Sequence, residues 1–280
     1  MIITPAIRRH LEMFLDEDLG FSDITTTAIV SSDNKAKAVI RAKEELVIAG
    51  LPFVEELFKI VDSEIRISRL KDEGEVAKPF TEICYVEGRT QTLLVVERTA
   101  LNLLQRLSGI ATLTRKMCEK VKGTDTKLVD TRKTTPGLRF FEKYATRVGG
   151  ATNHRMGLYD AVLIKDNHIK AAGSVRKAVE LVKKSVSFTT VIEIEASTLK
   201  DVEEALEAGV DIILLDNMEI ETLKKAVKMC KGKVLTEASG GVTPENIREI
   251  AETGVNFISA GFITHHAPWV DIHMKITEIK

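Results

Sequence analysis

From about residue 127 onward the chain repeats one kind of unit. Short β-branched or aliphatic runs occur at KLVD (127–130), AVLI (161–164), TVIEIE (190–195), DIILLD (211–216), KVLTEA (233–238) and NFISAG (256–261). Between them lie stretches such as SVRKAVELVKK, TLKDVEEALEAG and IETLKKAVKMCKG, whose apolar residues recur at i, i+3, i+4 and i+7, the spacing of an amphipathic helix. Gly209, Gly232 and Gly254 stop three of these helices, and Thr243 before Pro244 and Glu245 marks the start of another. Strand alternating with helix at intervals of roughly 20–35 residues implies βα units and a parallel sheet. Six such units in succession favour a closed or nearly closed barrel over a doubly wound sheet. No GxGxxG follows any strand, which argues against a dinucleotide fold.

The first 110 residues or so follow a different rhythm. A helix over 4–17 leads into SDITT and the extended stretch AKAVIRAKEELVIAG. A helix LPFVEELFKIV follows, then EIRISRL and TEICYVEG with a turn at DEG. This pattern predicts a smaller α+β domain with a partly antiparallel sheet. Residues 89–121 read as one or two long helices, with a break expected near Ser108-Gly109.

The global composition excludes several partners. Net charge is −1 over 280 residues, so nothing calls for nucleic acid or an anionic membrane surface. No apolar stretch approaches the ~20 residues that span a bilayer. The N-terminal segment MIITPAIRRHLEMFLDEDLG lacks the long apolar core and small-residue cleavage site of a signal peptide, so a cytoplasmic location is expected. Cys84, Cys118 and Cys230 are far apart and odd in number, and read as buried or idle thiols.

Charge is instead local. Residues 131–170 hold eight Lys/Arg against three acids, which points to a small polyanion. Each apolar run ends in ionisable or glycine-rich residues, and in βα barrels chemistry sits where strands end and loops begin. Asp130-Thr131-Arg132-Lys133 follow the first run and Lys165-Asp166-Asn167-His168 the second, with His154 and Arg155 shortly before it. The third carries Glu193 and Glu195, and the fourth ends in Asp216-Asn217. Glu237 to Gly241 and Ala260-Gly261 close the last two. Arg132 and Arg155 suit bidentate grip of carboxylate or phosphate, and Lys133 and Lys165 add compact positive charge. Glu195 and Asp216 are hard oxygen ligands that suit Mg2+ shared with phosphate oxygens. Ser239-Gly240-Gly241 and Ala260-Gly261 fall where barrels often hold a phosphate on backbone N–H groups.

Other readings stay open at this point. Arg132 and Lys133 could begin a helix on the surface, though cations are unfavourable there. His154 could be a structural histidine, Glu193 or Glu195 could only pair with a lysine, Glu237 is ambiguous in the same way, and Ser239–Gly241 could be a plain turn. His265, His266 and His273 lack a third zinc ligand at useful spacing, and Trp269 reads as packing. Lys165 at a strand end also admits a Schiff base in an aldolase-like barrel.

The motifs together resemble a known family. DTRKTTPGLR (130–139), EKYATRVGGATNHRMGLYDAVLIKDNHI (142–169), EIEAST (193–198), DNM (216–218), EASGGV (237–242) and ERTALNLLQRLSGIAT (97–112) are similar to quinolinate phosphoribosyltransferase. EDLGFSDITT and ELVIAGLPFVEELF resemble that family's N-terminal domain. The resemblance implies an incomplete TIM-like α/β barrel with an N-terminal α+β sandwich domain. It divides the chain into 1–110, 111–265 and a segment 266–280 packing back on the N-terminal domain. The implied reaction joins quinolinate to phosphoribosyl pyrophosphate with Mg2+, giving nicotinate mononucleotide, pyrophosphate and CO2. Carried over residue by residue, Arg132, His154, Arg155 and Lys165 hold the quinolinate carboxylates. Arg98 reaches the same pocket from the neighbouring subunit of a homodimer or higher homo-oligomer. Thr131 belongs to the substrate-binding set, Lys133 and Lys165 face the sugar phosphate, Glu195 and Asp216 its ribose and Mg2+, and Ser239–Gly241 with Ala260–Phe262 its 5′-phosphate. Lys133, Lys165, Glu195 and Asp216 form the implied catalytic set. The chain departs from the family at Ala151, where a third glycine is usual, at GFSDIT, and in the bulkier tail THHAPWVDIHMKI.

Overall fold

The computed structural model describes residues 1–279, which cluster into two compact units, Met1–Leu113 with the segment from Ala267, and Thr114–His266. In the first unit, α1 (Pro5–Leu19) and α2 (Ile24–Ile29) are capped by Thr4 and Asp23 side chains. There follow β1 (Lys35–Ala42), β2 (Leu46–Val47), α3 (Leu51–Val61), β3 (Arg66–Arg69), β4 (Val76–Ala77) and β5 (Glu82–Arg89). Phe53, Leu57 and Phe58 on one face of α3 pack into a core with Leu11, Ile40, Leu46, Ile48 and Ile83, all fully buried.

Helix α4 (Thr90–Lys120) runs unbroken through Ser108-Gly109, where the sequence predicts a break. Two contacts explain why. The Ser108 hydroxyl bonds both the N–H and the carbonyl of Ala49, and a Cβ on Gly109 would overlap the Pro268 carbonyl. Gly109 therefore serves close packing within this unit rather than a hinge.

The second unit carries the alternating elements. In order they are β6 (Lys127–Val129), α5 (Arg139–Gly149), β7 (Val162–Ile164), α6 (Asp166–Ala172), α7 (Val175–Ser185), β8 (Ile192–Ala196), α8 (Leu199–Ala208), β9 (Ile212–Asp216), α9 (Ile220–Cys230), β10 (Leu235–Ser239), α10 (Ile247–Ala251), β11 (Phe257–Ser259) and α11 (Phe262–His265). The six strands pair in parallel in the order β7-β8-β9-β10-β11-β6. Thr152 adds a single bridge to Val129 beside β6, and no ladder joins it to β7 among the described residues. The ring is open at that point, which makes it an incomplete α/β barrel. One sequence expectation shifts slightly: Thr243 accepts the Glu245 N–H in a turn, and α10 starts only after Asn246.

The last strand, β12 (Ile272–Ile279), belongs to the first unit. It pairs antiparallel with β1 at the edge of a sheet ordered β12-β1-β5-β3. The bulkier tail is accommodated there, with Ile272 and Met274 buried.

Candidate active site

Strand alternation sets the chemistry of the barrel's open end. Along β8, Ile192, Ile194 and Ala196 join the apolar core of the second unit, so Glu193 and Glu195 turn to the opposite face. On β9, Ile213 and Leu215 do the same and Leu214 and Asp216 face a cavity. On β10, Ala238 lies in the core while Glu237 and Ser239 face that cavity, with Ser239 registered opposite Asp216. The cavity measures about 770 Å³, inside the range of ~300–1,000 Å³ usual for small-molecule sites.

Most of the residues singled out in the sequence meet here. Thr131, Arg132, Lys133, His154, Arg155, Lys165, Asp216, Ser239, Gly240, Gly241, Ala260, Gly261 and Phe262 all line the cavity. Glu195 is not among the lining residues but pairs with Lys165 at 3.3 Å. Arg98 lies exposed on α4 in the first unit and is not a lining residue. Residues 131–138 form no helix, so Arg132 and Lys133 are loop residues rather than a helix start. The Lys165 side chain is 49% exposed, which lacks the desolvation that activates a Schiff-base lysine.

The cations are held from behind. Half-buried Arg155 donates to the Ala161 carbonyl at 3.0 Å. Burial, and then the neighbouring Arg132 charge, lower its pKa, so two guanidiniums face one space at an electrostatic cost. The Lys133 side chain lies against Gly261, where any Cβ would crowd both it and the His265 ring. Gly240 has φ +97° and a Cβ there would collide with the Asn217 side-chain amide. Asn217 itself has positive φ and donates its N–H to the Ser239 carbonyl at 2.9 Å. These two strand ends therefore interlock through backbone that only glycine supports at 240.

His154 is held by three contacts. Its Nε2 lies 3.1 Å from Glu193 Oε2 and 3.3 Å from Glu237 Oε2, and its Nδ1 accepts the Arg155 backbone N–H at 2.8 Å. Both glutamates are 3% exposed, and Oε1 of each has no hydrogen-bond partner among the described residues. The partner of Glu193 is thus a histidine, not the lysine that the sequence left open. Burial alone would depress the His154 pKa, but the two carboxylates outweigh it and push it up to about 10. Burial, followed by the Glu237 charge, raises Glu193. His154 and Glu193 titrate together and retain an additional proton between Nε2 and the Glu193 carboxylate, with the Glu237 carboxylate alongside. The ligand atoms of the three groups lie within 4.8 Å of one another. A metal on Nε2 would require Nδ1–H, and the Arg155 N–H already points at Nδ1, so the tautomer suits a proton rather than an ion.

Sequence reasoning gave no site role to four contributors. Asp130 lines the cavity floor and is paired with Lys143 of α5, and both are buried. The clue was available: Arg139, Glu142, Lys143 and Thr146 share one helical face that ordinarily would be apolar. His265 and His266 also line the cavity; the His266 ring stacks on Phe262 at 4.4 Å and 8°.

A parallel α/β barrel whose strand ends join paired arginines and lysines to glycine turns and acidic side chains defines an anion-handling enzyme of the barrel class. Comparison with known proteins narrows this. The family model described as the quinolinate phosphoribosyl transferase C-terminal domain matches residues 110–275, and its N-terminal domain model matches residues 23–108. The chain belongs to the quinolinate phosphoribosyltransferase family. It is 44% identical over 269 residues to a probable carboxylating nicotinate-nucleotide pyrophosphorylase of Synechocystis sp., covering 95% of this chain and 91% of that protein. A Bacillus subtilis protein of the same description is 41% identical, with 97% and 93% covered. The crystal structure of NadC from Streptococcus pyogenes superposes with a TM-score of 0.94 at 38% identity, covering 100% of this chain and 99% of that one.

Proposed function

We propose that this chain transfers the phosphoribosyl group of phosphoribosyl pyrophosphate to quinolinate with loss of CO2, as a nicotinate-nucleotide pyrophosphorylase in NAD biosynthesis. One observation carries the reading: Arg132, Arg155 and Lys165 line the same cavity as the glycine turns at 240–241 and 261. One group of cations suits a dicarboxylate and the glycine-rich backbone suits a terminal phosphate. A monocarboxylate would leave part of that positive charge unpaired in a half-buried site, which disfavours nicotinate as the acceptor.

The chemistry assigned to each group follows. Thr131 and Lys133 face the sugar phosphate, with Lys133 reaching Gly261, while Ser239–Gly241 and Ala260–Phe262 hold the 5′-phosphate. As the C1–oxygen bond breaks, the electron pair leaves with pyrophosphate and positive charge develops at the ribosyl carbon. Glu195 and Asp216 stabilise that charge and hold the ribose hydroxyls, and Lys133 and Lys165 stabilise the departing anion. The quinolinate ring nitrogen then donates its lone pair to C1. The pyridinium so formed accepts the electron pair of the breaking C2–carboxylate bond, CO2 departs, and a proton from water replaces it. His154 orients Glu193 and Glu237 rather than donating to the substrate carboxylates, since both of its ring nitrogens are engaged within the protein.

Glu195 and Asp216 fit a divalent ion carried partly by the substrate. Each offers carboxylate oxygens, but Glu195 is already paired with Lys165 and Asp216 accepts from Asn217 at 2.8 Å. Two such ligands need phosphate oxygens to complete the shell that Mg2+ demands. When bound, Mg2+ supplies charge neutralisation to the leaving pyrophosphate. Exposed Arg98 serves the site of a second copy in a homodimer or larger assembly. Calorimetry on Arg155→Ala tests the assignment: quinolinate affinity falls by about tenfold or more while phosphoribosyl pyrophosphate still binds. Equal loss of both ligands would refute the division of the cavity.

A further inference from the structure

Arg132 and Arg155 belong to separate segments, one after β6 and one before β7, and their like charges oppose each other. Something must hold the two backbones together. The structure supplies it from α5. Asp130, fully buried at the end of β6, accepts four donors. They are the Lys143 ammonium, the Thr146 hydroxyl at 2.8 Å, the Asn153 amide at 2.6 Å and the His154 backbone N–H at 2.8 Å. Asn153 also donates to the Lys143 carbonyl at 2.8 Å.

The same helical face reaches further along both segments. Glu142, fully buried, accepts the Thr135 N–H at 3.0 Å and its hydroxyl at 2.8 Å. Arg139 donates to the Arg132 carbonyl at 3.4 Å and the Met156 carbonyl at 3.3 Å, so one guanidinium spans both segments.

Stability alone does not explain this face. A buried ion pair is often no more stabilising than apolar side chains of the same volume, but it is directional. Its contacts reach backbone and side-chain groups no more than three residues from Arg132 and Arg155, where a shift of an ångström matters. We propose that the inward polar face of α5, with Asp130, is a positioning device that holds the 131–135 and 153–156 segments in register, so that Arg132 and Arg155 converge on the carboxylates of a single acceptor. The inference rests on the reading of the cavity as a quinolinate site and adds to it residues that touch no substrate.

The test uses Thr146, which lies behind the cavity and whose hydroxyl can be removed almost isosterically. Quinolinate and phosphoribosyl pyrophosphate affinities are measured by calorimetry on the full chain, with a thermal melt of each variant. Thr146→Val is expected to weaken quinolinate by about threefold to tenfold and Lys143→Met by more than about tenfold, with phosphoribosyl pyrophosphate affinity held within about threefold. Thr146→Ser, which keeps the hydroxyl, is expected to restore quinolinate affinity. A role in stability alone would lower the melting temperature of Thr146→Val and leave both affinities unchanged, and that result overturns the inference. Lys143→Met is the stronger perturbation, and if it fails to fold the Thr146 pair decides alone. Failure of the unmodified chain to bind quinolinate overturns the functional reading and this inference with it, whereas normal quinolinate binding by both the unmodified chain and Thr146→Val overturns only the inference.

Discussion

The contact of His154 with Glu193 and Glu237 makes stability fall as pH rises above neutrality. Above pH 7 the unfolded chain carries both glutamates ionised and His154 mostly neutral. The folded chain keeps one further proton at that contact, because the two carboxylates raise His154 from 6.5 to about 10. The folded pKa is the higher one, so the stabilisation is complete below about 6.5 and is lost as pH rises to about 10. Across that interval the slope is about 1.4 kcal/mol per pH unit, or about 5 kcal/mol in all as an upper bound. His154 is mostly buried, with 17% of its side chain exposed, so solvent screening removes little of this. Urea unfolding at several pH values between 7 and 9.5 reads the slope directly, with Glu193→Gln/Glu237→Gln as the reference. In that variant His154 keeps only the burial that depresses its pKa, and the additional proton is gone. Groups common to both proteins, including Lys143, whose pKa is lowered first by burial, cancel in the difference. The slopes should differ by about 1.4 kcal/mol per unit. Parallel curves would refute the shared proton.

Two further outcomes follow from single contacts. Gly240→Ala forces a Cβ into the Asn217 amide at φ +97°, and should weaken phosphoribosyl pyrophosphate by about tenfold or more in calorimetry; unchanged affinity would mean that the turn is not a phosphate cradle. Cys84 and Cys118, whose thiols burial pushes up to about 12 and about 11, should resist a thiol reagent at pH 8 until urea unfolds the chain, and rapid native labelling would contradict the packing around them.

The barrel was legible because its signal is periodic. All six apolar runs of the second unit overlap a strand, from β6 within 127–130 to β11 within 256–261, and the polar ends of five of them line one cavity. Local pattern failed where tertiary contact decides. Ser108-Gly109 looks like a break, yet its hydroxyl and missing Cβ are used to pack a continuous helix. Glu193 and Glu195 alternate in sequence and cannot be told apart there. In the fold, one sits under His154 and the other beside Lys165, because β8 is flanked by different loops at those two depths. The polar face formed by Arg139, Glu142, Lys143 and Thr146 is visible at helical spacing, but single-sequence periodicity cannot show that its partners are loop backbones. Neither could it show that His265 and His266, lacking a zinc partner, border the cavity.

The central claim is tested most directly by incubating the purified chain with phosphoribosyl pyrophosphate, Mg2+ and either quinolinate or nicotinate, and following nicotinate mononucleotide by chromatography. Product from quinolinate alone, abolished by EDTA and restored by added Mg2+, is the result that the convergence of Arg132, Arg155 and Lys165 predicts. Product from nicotinate at a comparable rate, or none from quinolinate while the sugar phosphate still binds, would contradict the dicarboxylate site.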